Sequence, residues 1–120
     1  MKKVYHLKTC DTNRQILKQL KASISDEKYK AFIFQEIKTE PITVSQLEEM
    51  YSFTKSYEAL FSKRAKRYKL LKDNKLTEKD FKQLILDEYT FLKRPVILVD
   101  DEIFVGNSKK NIEMLIQKIK

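Results

Sequence analysis

The sequence predicts an α/β domain with a four-stranded mixed sheet flanked by helices, and three observations support that fold class. A segment at 3–8 rich in β-branched and aromatic residues is followed by a helical pattern and then by an apolar run at 31–35. A largely helical stretch occupies about 41–90, and two short apolar segments and a last helix follow it. This order of β-α-β, helices, β-β-α is typical of a sheet that begins with a right-handed parallel βαβ unit.

The first element is a strand at 3–8, because its residues favour extended chain. It stops at residues 9–12, a Thr-Cys-Asp-Thr run that is rich in helix-capping side chains. Apolar residues then recur at helical spacing, which predicts a helix over 13–22 that packs on the sheet. The run at 31–35 predicts a buried second strand, parallel to the first because a helix connects them.

The middle of the chain is predicted to be helical. Pro41 breaks the chain, and the spacing of Thr43 and Gln46 matches a capping box at the start of a second helix. The helical pattern continues over 55–87, with a new start at Thr77.

The C-terminal part returns to strands. A Lys-Arg-Pro run at 93–95 ends the helical stretch, and strands are predicted at 96–99 and 103–105 around an Asp-Asp turn. Ser108 is a favourable cap for the last helix.

The composition suits one ordered domain. The chain has 120 residues, of which 42% are hydrophobic, and its one glycine and two prolines leave no material for a flexible linker. We therefore expect a single domain over 1–120, with a core formed by 1–40 and 91–120 and a helical insertion at about 41–90.

The location is predicted from what the sequence does not contain. No apolar run approaches the roughly 18 residues needed to cross a bilayer, and the first residues lack the apolar run of a secretory signal. The single cysteine cannot close an intrachain disulfide, which suits a reducing compartment. We expect a cytoplasmic protein with no membrane partner.

The net charge of +8 predicts attraction to anions, but charge alone does not choose among nucleic acid, lipid and small molecules. Residues 62–72 hold six basic residues and no acidic one. This segment either docks an acidic partner or nucleic acid, or is a solvated face whose lysine stems cover apolar surface. Because no recognised DNA-binding motif is present, direct nucleic-acid binding is not expected.

Three motifs point to a known family. They are Tyr-His-Leu-Lys-Thr-Cys-Asp-Thr-Asn-Arg at 5–14, Leu-Phe-Ser-Lys-Arg at 60–64 and Phe-Leu-Lys-Arg-Pro-Val-Ile at 91–97. The order and spacing of these motifs resemble those of the arsenate reductase-like ArsC/Spx family, and the resemblance covers nearly the whole chain. The resemblance implies a thioredoxin-like fold. The Cys-Asp-Thr sequence and Arg64 are most similar to an uncharacterised branch, for which a glutathione-linked thiol reductase role has been suggested.

The resemblance implies roles for several residues. Cys10 matches the nucleophile, Arg94 matches the arginine that binds the oxyanion or thiol substrate, and Pro95 matches a proline with a cis peptide bond. His6 and Arg14 match supporting positions near the nucleophile. A lone histidine in a strand is more often structural, so a structural role for His6 is kept beside the catalytic one.

Two departures from the family pattern limit what the resemblance implies. Ser62 and Gly106 stand where arsenate reductases of this kind carry two further arginines, so the resemblance leaves open whether arsenate is reduced. Asn13 replaces the second cysteine of a Cys-x-x-Cys pair, which excludes an internal disulfide switch.

Cys10 also fits a reactive thiol on physical grounds. The positive end of a helix dipole and the first backbone N–H groups favour a thiolate at the helix start. Arg94, and also Arg14, would add positive charge and hold an anion beside the sulfur. A lone cysteine in a soluble domain is more often a small buried hydrophobe. The position of Cys10 ahead of a helix, with Arg94 and Pro95 downstream, favours reactivity.

The first functional hypothesis is a thiol-dependent oxidoreductase. Cys10 attacks an oxyanion or a disulfide, Arg94 fixes the substrate, and glutathione or a glutaredoxin-type redox partner resolves the product. Neither a bound cofactor nor a metal is expected, because one cysteine and one histidine are too few for a typical metal site. Two alternatives remain, an Spx-like regulator that binds RNA polymerase and a non-catalytic member of the fold.

Overall fold

The computed structural model describes residues 1–71 and 75–120. The predicted helical insertion and the basic segment 62–72 both run into 72–74, and that part of each lies outside the described residues. The chain forms two compact units, one made of 1–40 with 94–120 and the other of 41–93. That these units make one domain stays a prediction.

The first unit contains a four-stranded mixed sheet, which confirms the predicted fold class. The strand order is β2-β1-β3-β4, in which β1 and β2 are parallel and the other two pairs are antiparallel. The strands are β1 (Lys2–His6), β2 (Ile33–Glu36), β3 (Val96–Val99) and β4 (Glu102–Val105).

Five α-helices lie in the described residues. They are α1 (Asp11–Ser23), α2 (Asp26–Lys30), α3 (Val44–Thr54), α4 (Glu78–Asp87) and α5 (Lys109–Ile119). Helix α2 was not predicted from the sequence, although Ser25 caps it by accepting a hydrogen bond from the Lys28 N–H. The predicted second strand begins two residues too early because Ala31 and Phe32 still donate their N–H groups to α2 carbonyls.

A cluster of buried residues of the first unit lies on one face of the sheet. Leu20 of α1 and Leu115 of α5 pack there against residues of three strands. The buried members of this cluster are Val4, Leu20, Phe32, Ile97, Val99, Phe104, Leu115 and Ile119. Because α1 contributes to this core, its first turn is held in a fixed place at the end of the sheet.

The second unit differs from the continuous helical pattern predicted over 55–87. Between α3 and α4 the described residues 55–71 and 75–77 form two short 3-10 turns, Glu58–Leu60 and Lys66–Leu70. The α3 helix ends because Lys55 adopts a left-handed conformation with φ of 57°. Phe61 is extended and forms an isolated antiparallel bridge with Leu92. The predicted starts at Thr43 and Thr77 are correct, and each residue forms a capping box.

An aromatic cluster explains why the chain leaves the helical conformation there. The Phe61 ring lies 4.8 Å from that of Phe81 and 4.9 Å from that of Phe91, measured between centroids. Burying the three rings together stabilises the extended chain at Phe61. Within residues 1–71 and 75–120 no helix combines the length and the apolar character needed to cross a membrane.

Candidate active site

The topology of the first unit brings four chain segments to one edge of the sheet. Tyr5 pairs with Val96, and Val96 pairs with Val105, both in antiparallel register. The ends of β1 and β4 and the start of β3 therefore meet at this edge, and β2 ends there too because it is parallel to β1. Cys10 follows β1 and Arg94 precedes β3, so both residues lie at this edge.

Cys10 is the N-cap residue of α1. Its backbone is extended, its N–H donates to the Leu7 carbonyl at 3.1 Å, and its side chain is partly exposed. The sulfur accepts no capping hydrogen bond from the helix backbone. Among the α-helices of the described ranges, the other four each begin with a Ser or Thr hydroxyl that accepts such a bond. The thiol thus stands at the start of a helix without serving as its cap.

Asn13 is the polar side chain in contact with the thiol. It is fully buried, and its Nδ2 donates to the Cys10 Sγ at 3.5 Å. Its Oδ1 accepts the Leu7 N–H at 3.0 Å. One side chain thus connects the end of β1, the first turn of α1 and the sulfur.

The loop before Cys10 is held by two charged side chains. Glu36, the last residue of β2, accepts the Lys8 N–H at 3.0 Å and the Thr39 N–H at 2.8 Å. Burial raises the pKa of Glu36, but hydrogen bonds from Lys8, Lys38 and Thr39 together outweigh burial and lower it. Glu36 therefore binds the loop as a carboxylate.

Arg14 holds the same loop from the helix. Its guanidinium donates to the Lys8 carbonyl and to the Asp11 carboxylate. The Asp11 charge compensates part of the Arg14 charge. Arg14 is thus engaged in positioning the loop, and the predicted role beside the bound anion stays a prediction.

His6 is buried in the sheet, with 7% of its surface exposed. Its ring packs edge-on against Phe34 at a centroid distance of 6.1 Å. Burial is the main cause that lowers the pKa of His6, Lys8 adds to this, and Glu36 partly opposes it. These contacts favour a neutral imidazole with a packing role.

The lowered pKa of His6 predicts how stability depends on pH. An unfolded histidine titrates near 6.5, so below this pH the unfolded chain takes up a proton that the folded chain resists. The contribution of His6 to the free energy of unfolding should be complete above pH 6.5. It should decrease as the pH drops toward the lower pKa of the folded state. Urea unfolding between about pH 8 and about pH 5.5 measures this fall.

His6→Phe is the matched control, because it keeps a ring against Phe34 and removes the titrating group. His6 is the only histidine of the chain, so no other histidine contributes to this pH range. A flat wild-type curve, or an equal fall in His6→Phe, would contradict the assignment to His6.

Arg94 and Pro95 lie at the start of β3. The Arg94–Pro95 peptide bond is cis, as the family resemblance implies. Arg94 is partly buried, and the Pro95 carbonyl accepts the Gly106 N–H at 2.9 Å. The end of β4 is thereby tied to the residue that follows Arg94.

Gly106 stands where the resemblance places an arginine, and its backbone suits glycine. Its φ is +90°, a conformation that side chains rarely adopt, so an arginine would be strained there. Its carbonyl accepts a hydrogen bond from the Asn111 side chain at 2.9 Å. Ser62 and Arg64 belong to the second unit, where Ser62 donates its N–H to the Phe91 carbonyl and Arg64 is exposed.

Six of the predicted site residues therefore lie at or near one edge of the sheet in the first unit: His6, Cys10, Asn13, Arg14, Arg94 and Pro95. Sequence reasoning missed Glu36. The available signal was an acidic residue that directly follows a strand predicted to run parallel to the first one. Within the described ranges, no three histidine, cysteine or carboxylate side chains converge to hold a metal ion.

Solved structures with the same fold align with nearly the whole length of this chain. An arsenate reductase from Vibrio cholerae has a TM-score of 0.73 at 16% identity and covers 99% of this chain and 97% of its own. An ArsC family related protein from Bacteroides fragilis has a TM-score of 0.74 at 21% identity, with 99% and 97% covered. An arsenate reductase related protein from Brucella melitensis has a TM-score of 0.70 at 21% identity, with 94% and 92% covered. At these identities the comparison shows the fold.

The family of the chain is identified from its sequence. No curated protein matches it significantly. The profile of the ArsC family matches residues 5–115, which include the turn with Cys10 and the start of β3 with Arg94. The chain therefore belongs to the ArsC family.

Proposed function

We propose that this protein is a thiol-dependent reductase in which Cys10 is the nucleophile. The observation that carries the proposal is the placement of the Cys10 thiol. Cys10 is partly exposed at the start of α1, and its sulfur accepts a hydrogen bond from a buried amide. The residue lies at the sheet edge where β3 begins shortly after Arg94. A helix start and an amide donor both favour the thiolate, which is the reactive form.

The proposed reaction is thiol–disulfide exchange, or attack of the thiolate on the central atom of an oxyanion with loss of one oxygen as water. With a disulfide, the Cys10 thiolate forms a bond to one sulfur and the other sulfur leaves as a thiolate. A second thiol then attacks the mixed disulfide and regenerates Cys10. Because the chain has one cysteine, this second thiol comes from another molecule, and glutathione or a glutaredoxin-type protein supplies that chemistry.

Arg94 is proposed to bind the negative charge of the substrate. It precedes the strand that neighbours β1, and a guanidinium offers paired donors to an oxyanion or a carboxylate. The glycine geometry at position 106 leaves no unstrained place for one of the arginines that the family resemblance predicts. We therefore propose glutathione-containing disulfides as the first substrates to test and arsenate as the second, in a cytoplasmic setting.

The role of Arg94 predicts a shift in the reactivity of Cys10. In wild-type protein, the pH at which alkylation by iodoacetamide reaches half its maximum rate is measured, with glutathione as a parallel reference. Arg94→Ala should move this midpoint upward, because a positive charge beside the thiolate is lost. Rates measured between about pH 5 and about pH 9 give both midpoints.

Arg67→Ala is the control, since it removes an exposed guanidinium that pairs with Glu88 in the second unit. This variant should leave the alkylation profile unchanged. A wild-type profile that coincides with that of glutathione, with no change in Arg94→Ala, would overturn the reductase proposal and direct attention to protein partners.

A further inference from the structure

The orientation of the Asn13 amide is fixed by its surroundings. An amide side chain has one oxygen and one nitrogen end, and the two are interchangeable in shape. The Leu7 N–H is a donor, so the end that meets it at 3.0 Å must be Oδ1. The other end, which lies 3.5 Å from the Cys10 sulfur, must therefore be the NH₂ group. Asn13 presents a donor to the sulfur in either protonation state of the thiol.

The sequence position of Asn13 gives this donor an unusual target. Asn13 is the third residue of α1, the position from which Gln46 in α3 and Asp80 in α4 accept the N–H of their own N-cap residue. In α1 the Cys10 N–H is instead bound to the Leu7 carbonyl. The Asn13 side chain therefore does not accept the N–H of its N-cap residue, and it contacts the sulfur of that residue instead.

The contact of the buried Asn13 amide is stronger with the thiolate than with the thiol. Asn13 is fully buried, so its amide does not exchange this partner for water. A hydrogen bond to an ionised acceptor is about twice as strong as one between neutral groups. The hydrogen bond from the Leu7 N–H holds the amide in the orientation that presents Nδ2 to the sulfur.

We propose that Asn13 is a positioning residue that orients the Cys10 sulfur and stabilises its thiolate through the Nδ2 donor. This inference rests on the proposed function, in which the thiolate attacks the substrate. Asn13 stands where a Cys-x-x-Cys protein has its second thiol, and it supplies a hydrogen bond in place of a resolving sulfur. The side chain thereby favours the reactive form without offering an internal disulfide.

Asn13→Asp tests the donor separately from the scaffold. The aspartate keeps an oxygen for the Leu7 N–H, but it replaces the donor at the sulfur by an acceptor that carries negative charge when ionised. We expect the midpoint of the alkylation profile to rise by about one pH unit or more, which is about a tenfold slower rate at a pH below both midpoints. Gln19→Glu is the control, because it makes the same change of charge at an exposed position of the same helix. It should leave the midpoint unchanged.

A measurement on wild-type protein covers the case in which Asn13→Asp does not fold. The side-chain amide of Asn13, followed by ¹H–¹⁵N NMR through the pH range of the alkylation profile, should shift with the same midpoint as the Cys10 thiol. In Cys10→Ser this titration should vanish. An amide signal that does not respond, or that titrates equally in Cys10→Ser, would overturn the role of Asn13.

The outcomes separate this inference from the proposed function. A low wild-type midpoint that is equal in Asn13→Asp overturns the inference about Asn13 and leaves the reductase proposal standing. A midpoint that rises in Asn13→Asp, in a protein that turns over neither disulfides nor arsenate, supports the thiolate contact and overturns the reductase proposal.

Discussion

Cys10→Ser is expected to lower the rate of disulfide reduction by a factor on the order of a thousand or more, because the attacking atom of the proposed reaction is removed. A hydroxyl at this position does not form the mixed disulfide that glutathione resolves. The rate is measured with bis(2-hydroxyethyl) disulfide and glutathione, through NADPH consumption by added glutathione reductase. Mass spectrometry of the wild-type protein should show glutathione bound at Cys10 when the resolving thiol is limiting.

The stability of Cys10→Ser separates a catalytic role from a structural one. Serine is among the preferred N-cap residues, and in this chain Ser25 and Ser108 already accept capping bonds. The variant should therefore unfold at the same urea concentration as wild type or at a higher one. A variant that keeps its reductase rate would contradict the assignment of Cys10. A variant that loses both rate and stability would indicate a structural role.

Phe104→Ala is expected to lower the free energy of unfolding by about 3–5 kcal/mol, because it leaves a cavity in the core of the first unit. Phe104 is 3% exposed and belongs to the cluster that also holds Leu20 and Leu115. Small domains are stable by only about 5–15 kcal/mol, so this variant should be close to unfolding at room temperature. Urea unfolding followed by far-UV circular dichroism measures the loss.

Ile33→Ala is the control for Phe104→Ala. Ile33 also lies in a strand, but 64% of its surface is exposed, so little apolar burial is lost. We expect a change of less than about 1 kcal/mol, of the size of strand propensity differences. Equal losses in the two variants would contradict the assignment of Phe104 to the core.

Elements whose signals come from residues close together in the sequence were predicted well. Four consecutive apolar residues define β3 as observed, Val96–Val99, and polar caps mark the starts of α3, α4 and α5. These signals are local, because a cap and its partner N–H lie three residues apart. The parallel pairing of β1 with β2 follows from them, since a helical connection makes the first two strands parallel.

The region between α3 and α4 was predicted wrongly for a physical reason. Its apolar residues recur at helical spacing, but Phe61 is extended, bridges Leu92 and packs its ring against Phe81 and Phe91. The regular spacing of apolar residues indicates which side chains are buried. It does not record whether a helix or a bridge buries them.

For the candidate site, the sequence alone predicted which residues carry the proposed chemistry. Cys10 ahead of a helix and Arg94 before a proline are recognisable from short motifs, and the family profile covers both. The tertiary structure decided how the thiol is held. Glu36 binds the Lys8 N–H across 28 residues of chain, and the Asn13 amide is oriented by the end of β1. Such contacts depend on the pairing of β1 with β2 and on the packing of α1, which bring together groups that no local pattern in the sequence connects.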